Sequence, residues 1–227
     1  MSTVASYKSQ TARTFDLLKA AIVEAKYAPG DKLKIDQLSE AFDSSSGAVR
    51  EALSGLTAEG LVVAQPQKGF VVAPISRRDL EDLTQVRVQI ECRCLADTIA
   101  AAGIEWEGRI LSLQHQLRAL EHTARVPGSR EGQQWHQLHF AFHSELTSLC
   151  PNTWWQKLRQ QLFIQSERYR RLSGPLDEEG RDVSAEHEAI AKAAIIRDTE
   201  AAVRHMAAHL RRTTDILLKS RIPFSED

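Results

Sequence analysis

Cysteine is scarce in this chain of 227 residues, which has three in all. Cys92 and Cys94 stand two apart in a helical stretch, on different faces, and no Cys-x-x-Cys pair occurs. This excludes a disulfide framework and reads as an intracellular chain with ordinary structural thiols. Seven prolines and eleven glycines, with 42% hydrophobic and 26% charged residues, exclude collagen-like, low-complexity and wholly disordered chains. No apolar run approaches the roughly 20 residues of a membrane span. Residues 1–9 lack the basic start and apolar stretch of a signal peptide, so a cytoplasmic location is expected, without a membrane partner. An excess of one charge is missing too: 29 Lys+Arg stand against 30 Asp+Glu, a net of −1 that by itself names no nucleic-acid partner. There is no His-Glu-x-x-His, His-Asp dipeptide, Glu-x-x-His, Gly-rich phosphate loop or Gly-x-Ser-x-Gly elbow. The usual helical metal-catalysis and nucleophile motifs are therefore absent, and no enzyme is expected.

What is present divides near Pro74. Before it, Phe15, Leu18, Ile22 and Ala25 fall at helical spacing, and Pro29-Gly30 ends that helix. A short second helix carries Leu38, Ala41 and Phe42, and Asp43-Ser44-Ser45-Ser46 forms a turn rich in N-cap candidates. A third helix places Val49, Ala52, Leu53 and Leu56 on one face. Leu61-Val62-Val63 and Phe70-Val71-Val72 then read as strands joined through Pro66-Gln67-Lys68-Gly69. Three helices and a β-hairpin are the layout of a winged helix-turn-helix, expected over residues 1–74. In that layout the third helix offers its N-terminal polar face to a major groove. That face holds Ser45, Ser46, Gly47 and Arg50, with Lys68 and Gly69 at the wing tip. Arg50 suits a bidentate contact to guanine, and the serines with the helix N-terminus suit phosphate. Against this, residues 1–75 hold eight Lys+Arg and eight Asp+Glu, where a DNA binder is usually basic.

Ala28-Pro29-Gly30-Asp31-Lys32-Leu33, Val49-Arg50-Glu51-Ala52-Leu53, Leu56 and Glu59-Gly60-Leu61-Val62 resemble the DNA-binding domain of the GntR family of bacterial transcription regulators. The resemblance covers about the first third of the chain and makes Arg50 the base-reading arginine of the recognition helix. Where the family usually has Ser-Arg-Thr-Pro, this chain has Ser45-Ser46-Gly47-Ala48. A first recognition arginine is thus missing at Ser46. Fewer guanine contacts are expected, with more weight on Arg50, the wing and DNA shape.

After a linker at 75–78, residues 79–222 read as an all-α bundle of about six helices, followed by a tail at 223–227. Helix breaks are expected at Gly103, 126–129, 150–152 and 172–175, and Asp198 is placed to cap the last helix. All eight histidines lie here, between His115 and His209. His139 and His143 share one helix face with Trp135, Phe142 and Leu146. His187 lies on the stripe with Ile190, Ala191 and Ala194, and His209 on that with Met206, Thr213 and Ile216. A lone buried histidine is more often hydrogen-bonded core than ligand. Four inward imidazoles, however, need a shared metal or several acceptors. His205, four before His209, competes for the last ligand position, while His115 and His122 read as surface residues. Glu186 and Glu188 flank His187 but are expected to point away from it.

Gln85-Val86-Arg87, Glu91 and Leu95-Ala96 resemble the first effector-domain helix of the FCD group within the GntR family. Its metal-binding members carry Asp-x-x-x-His followed by two later histidines, and His139 to His143, His187 and His209 stand at the corresponding places. Here His139 replaces the aspartate. An all-imidazole set of His139, His143, His187 and His209 suits zinc foremost, then nickel or cobalt, better than manganese. Without His139 the set would fall to three. The resemblance implies a homodimeric regulator, read as a repressor of operator DNA, with a small carboxylate effector at the metal. Arg87 is the candidate for the effector's other end, its alternative being a salt bridge to Glu91 four residues on. The alternative is a sensor in which the ion itself is the signal, which sequence does not separate from a structural or ligand-holding metal.

Overall fold

The computed structural model describes residues 9–121, 129–173, 180–222 and 224–225. The described residues run α1 (Gln10–Val23), β1 (Lys32–Leu33), α2 (Ile35–Ala41), α3 (Ser46–Ala58), β2 (Val62–Gln65) and β3 (Gly69–Val72). Six further helices follow: α4 (Arg77–Ala101), α5 (Ile104–Leu120), α6 (Arg130–Glu145), α7 (Thr153–Ser173), α8 (Val183–Ile195) and α9 (Thr199–Lys219). The mainly α architecture, with an N-terminal winged helix-turn-helix and an all-helical remainder, is as the sequence led us to expect. Two compact units can be separated. One gathers residues up to Asp79 with Ile164–Arg171, and the other gathers Leu80–Phe163 with Leu172–Ile222.

In the first unit, Ser9 caps α1 by accepting from the Ala12 N–H at 3.1 Å, and Ser45 caps α3 by accepting from the Ala48 N–H at 3.2 Å. Leu18, Val49, Leu53, Leu56 and Leu61 are completely buried and form the centre of the core, with Leu33, Leu38 and Val72 around them. Full burial of each such side chain is worth about 1.5–3 kcal/mol. The turn from α3 into the wing depends on Gly60, whose φ of +73° lies in the left-handed region. It lets the Gly60 N–H reach Thr57 O at 3.0 Å and the Leu61 N–H reach Leu56 O at 3.0 Å, closing the open carbonyls of the helix end. The hairpin pairs Val62 with Val72 through to Gln65 with Gly69. A strand not foreseen from the sequence, β1, pairs Lys32 with Val71 and Leu33 with Phe70, giving the sheet order β1-β3-β2. Two residues are too few for an alternation signal.

Helix α4 begins at Arg77, inside the segment expected as a linker. Ser76 Oγ accepts from the Asp79 N–H at 3.0 Å, so this segment starts a helix, and Ile75 is buried. In the second unit, Ser129, Asp182 and Asp198 cap α6, α8 and α9 through the N–H groups of Gly132, Ala185 and Ala201. The Gly103 break separates α4 from α5 as expected. Residues 126–128 and 174–175 of the other expected breaks, and His122, lie outside the described residues. The core of this unit centres on Leu95, Trp106, Ile110, Phe142, Leu146, Ile190 and Met206. Trp106 keeps its ring buried by donating Nε1–H to Glu145 O at 2.8 Å.

Candidate metal centre

The apolar stripes of α6, α8 and α9 bring His139, His143, His187 and His209 together. One ligand-capable nitrogen from each lies within 4.8 Å of the others. Their ring centroids are 4.6 Å apart for His139–His143, 4.8 Å for His187–His209 and 5.0 Å for His143–His209. The four rings are between 0 and 6% exposed. Trp135 stacks on His139 at 4.9 Å, and Phe142 and Phe163 line other sides of the group. His205, the competitor, is exposed and stays outside the group, as does exposed His115.

The chemistry of these rings points to a cation. Both nitrogens of His143 are buried without a hydrogen-bond partner among the described residues. Leaving such a polar group dry is unfavourable by about 1–3 kcal/mol unless something ligates it. Burial holds His143 well below the usual imidazole range, and the neighbouring His209, His187, Arg87 and Arg159 push it further down. Burial also lowers His209, against the opposing pull of Glu186. Neutral imidazoles are the form that binds metal. The residues present therefore fit a divalent transition ion, with nitrogen donors suited to zinc, nickel or cobalt.

Glu186 departs from the sequence reading, which turned it away from the ligands. Packing of α9 along α8 places its Oε2 at 2.8 Å from His209 Nδ1. Arg181 holds the same carboxylate, with Nε at 2.8 Å from Oε1 and Nη2 at 2.5 Å from Oε2. Burial alone would raise the Glu186 carboxyl, but the hydrogen bonds and charges of His209 and Arg181 outweigh it and hold it at about 2. Glu188 is exposed.

A cationic wall adjoins the histidines. Arg87 pairs with Glu91 at 3.5 Å, and its guanidinium carbon lies 5.0 Å from the Phe163 ring centre. The two alternatives for Arg87, ion pair and site residue, are thus compatible. Arg159 was missed by the sequence reading. It donates Nε–H to Glu91 Oε2 at 2.9 Å, and its guanidinium lies 6.0 Å from the same ring. Two buried guanidiniums thus contact one buried carboxylate. Arg159 Nη2 is buried without a hydrogen-bond partner among the described residues. The only sequence signal for Arg159 was its place one helical turn before Phe163.

In the first unit, Ser45, Ser46, Gly47 and Arg50 are exposed at the start of α3, as are Lys68 and Gly69 at the wing tip. Ser45 is already engaged: besides capping Ala48, its hydroxyl donates to Gln10 Oε1 at 3.1 Å.

Comparison with known proteins gives these sites a context. Residues 10–72 match the bacterial regulatory proteins of the gntR family, and residues 82–212 match the FCD domain. The HTH-type transcriptional regulator BphR of Paraburkholderia xenovorans is 37% identical over 215 residues, covering 94% of this chain and 87% of that protein. The HTH-type transcriptional repressor GlaR of Escherichia coli is 32% identical over 200 residues, covering 85% of this chain and 89% of the relative. Among solved structures, E. coli McbR/YncC shares the fold with a TM-score of 0.78 at 18% identity, over 93% of this chain and 98% of that one. The chain belongs to the GntR family, in the group that carries an FCD domain, and is a DNA-binding transcription regulator, not an enzyme.

Proposed function

We propose that this regulator is a cytoplasmic homodimeric repressor whose operator affinity is set by a divalent transition metal and a small carboxylate effector in its helical unit. His139, His143, His187 and His209 would hold the ion, zinc first, then nickel or cobalt. The observation that carries this is the complete burial of His143 with both ring nitrogens lacking a hydrogen-bond partner among the described residues. When bound, the ion supplies positive charge and a coordination position for an anion. Arg87 and Arg159, buried beside the histidines, would take the effector's far end, since a guanidinium offers a carboxylate a bidentate contact. Effector binding would act by favouring one of two states of the dimer, lowering affinity for DNA. On the operator, Arg50 would read bases, and Ser46, Gly47, Lys68 and Gly69 would contact the backbone. Ser45 would contribute mainly as the helix cap. The experiment is elemental analysis of protein purified without an affinity tag, beside His143→Ala. About one transition ion per chain in the parent, by four-ligand logic, and none in the variant is the expected result. No metal in either would overturn the reading.

One observation favours a second reading. Four imidazoles match the ligand count of closed structural metal sites, and an ion held by all four in that way would have no position left for an anion. The ion would then be the signal itself. Dialysed, metal-free protein that regains operator binding with metal concentration alone, and ignores carboxylates, would favour this sensor.

A further inference from the structure

The second unit contains an ion-pair network that the metal reading does not use. Arg181, in the segment before α8, donates Nη1–H to Thr213 Oγ1 at 2.9 Å and Nη2–H to His209 O at 2.7 Å, both on α9. Its Nε lies 2.8 and 3.0 Å from the two Glu186 oxygens on α8. One guanidinium thus ties three chain segments to a single carboxylate.

We propose that Glu186, held by Arg181, is the positioning residue for His209, fixing its ring with Nδ1–H toward the carboxylate and Nε2 toward the other three imidazoles. The inference rests on the metal reading above. Its warrant is donor and acceptor chemistry. Glu186 Oε2 stands 2.8 Å from His209 Nδ1, and a carboxylate only accepts, so Nδ1 carries the hydrogen and Nε2 keeps its lone pair. Arg181 Nη2 lies 3.2 Å from the same Nδ1, but a guanidinium only donates and cannot share a protonated nitrogen. Its hydrogens go to Glu186 Oε2 and His209 O instead. A ligating imidazole that donates its other N–H to a carboxylate is held in one orientation and is a stronger base toward the ion. Glu186 also places a negative charge one bond path away from a ligand set that has none of its own.

The test measures zinc affinity of the full chain by chelator competition, for the parent, Glu186→Gln and Glu186→Ala, with the His209 tautomer read by long-range ¹H–¹⁵N correlation. Removing such a partner should weaken zinc binding about 10–100-fold in Glu186→Ala. Glu186→Gln, whose amide oxygen still accepts from Nδ1–H, should fall between the variant and the parent and should keep the tautomer. If Glu186→Ala fails to fold, the near-isosteric glutamine variant still decides the question. Zinc affinities within twofold of the parent, or zinc found on Nδ1 of His209, would overturn the proposal and leave the metal reading intact. A parent that binds no zinc would overturn both.

Discussion

Arg159 and Glu91, 68 residues apart in sequence, meet at 2.9 Å inside the helical unit, where Glu91 is wholly buried. Arg87 leans on the same carboxylate. Glu91→Gln would keep the shape and remove the negative charge that both buried guanidiniums contact. We expect a loss of about 3–5 kcal/mol, read by urea unfolding. Adding Arg159→Met should recover part of it, since the pair is coupled and one stranded charge is gone. A single-variant loss below about 1 kcal/mol, the range of exposed pairs, would show that water reaches this wall.

At the DNA end, Arg50→Ala should weaken operator binding by about 1–3 kcal/mol and relax base preference at one position. Lys68→Ala should weaken specific and non-specific DNA alike and lower the salt dependence by about one phosphate contact. Binding isotherms at several salt concentrations separate the two. Equal effects of both variants on every sequence would remove Arg50 from base reading.

Ser45 offers a different split. Its hydroxyl serves the Ala48 N–H, so Ser45→Ala should destabilise the first unit by about 0.5–2 kcal/mol through the start of α3. Ser45→Asp keeps the cap and should retain stability, yet it adds a negative charge facing the DNA phosphates and should reduce operator affinity. Thermal melts and binding measured on both variants distinguish a capping role from a phosphate contact.

The thiols supply a pH prediction. Burial pushes Cys94 up to about 12, aided by its hydrogen bond with Cys150, and burial with Glu91 nearby pushes Cys92 up to about 11. Unfolded chains ionise these thiols from about 8.5 upward. Between that value and the folded values, the unfolded state holds fewer protons, so stability should fall as pH rises through this window. Alkylation at pH 8 should be slow in folded protein and fast in urea. Rapid labelling of Cys94 in the folded state would contradict its burial.

Much of this was legible in local pattern. The stripes carrying His139 with His143, His187, and His209 each predicted an inward face, while the break ending at Ser129 and the cap at Asp198 marked where two of those helices begin. Sequence could not choose between His205 and His209, because neighbours four apart share a face; the packing of α9 buries His209 beside the other three histidines and exposes His205. Arg159 and Arg181 were invisible for another reason. Their partners lie on other elements, and no periodicity encodes an ion pair such as Arg159–Glu91 across 68 residues. Strand β1 escaped notice because its two residues acquire meaning only beside Val71 and Phe70.

The central place of β3 has a consequence for assembly. Its backbone is engaged on both sides, by β2 and by β1, while the Gly30 N–H reaches Val72 O and the Val72 N–H reaches Asp31 O. What the sheet leaves open is the outer side of two short ribbons, of two and four residues. Such stubs are poor templates for adding a strand from another molecule. Edge-to-edge sheet growth between molecules is therefore disfavoured at this sheet, which keeps the wing hairpin from being drawn into a neighbour's sheet.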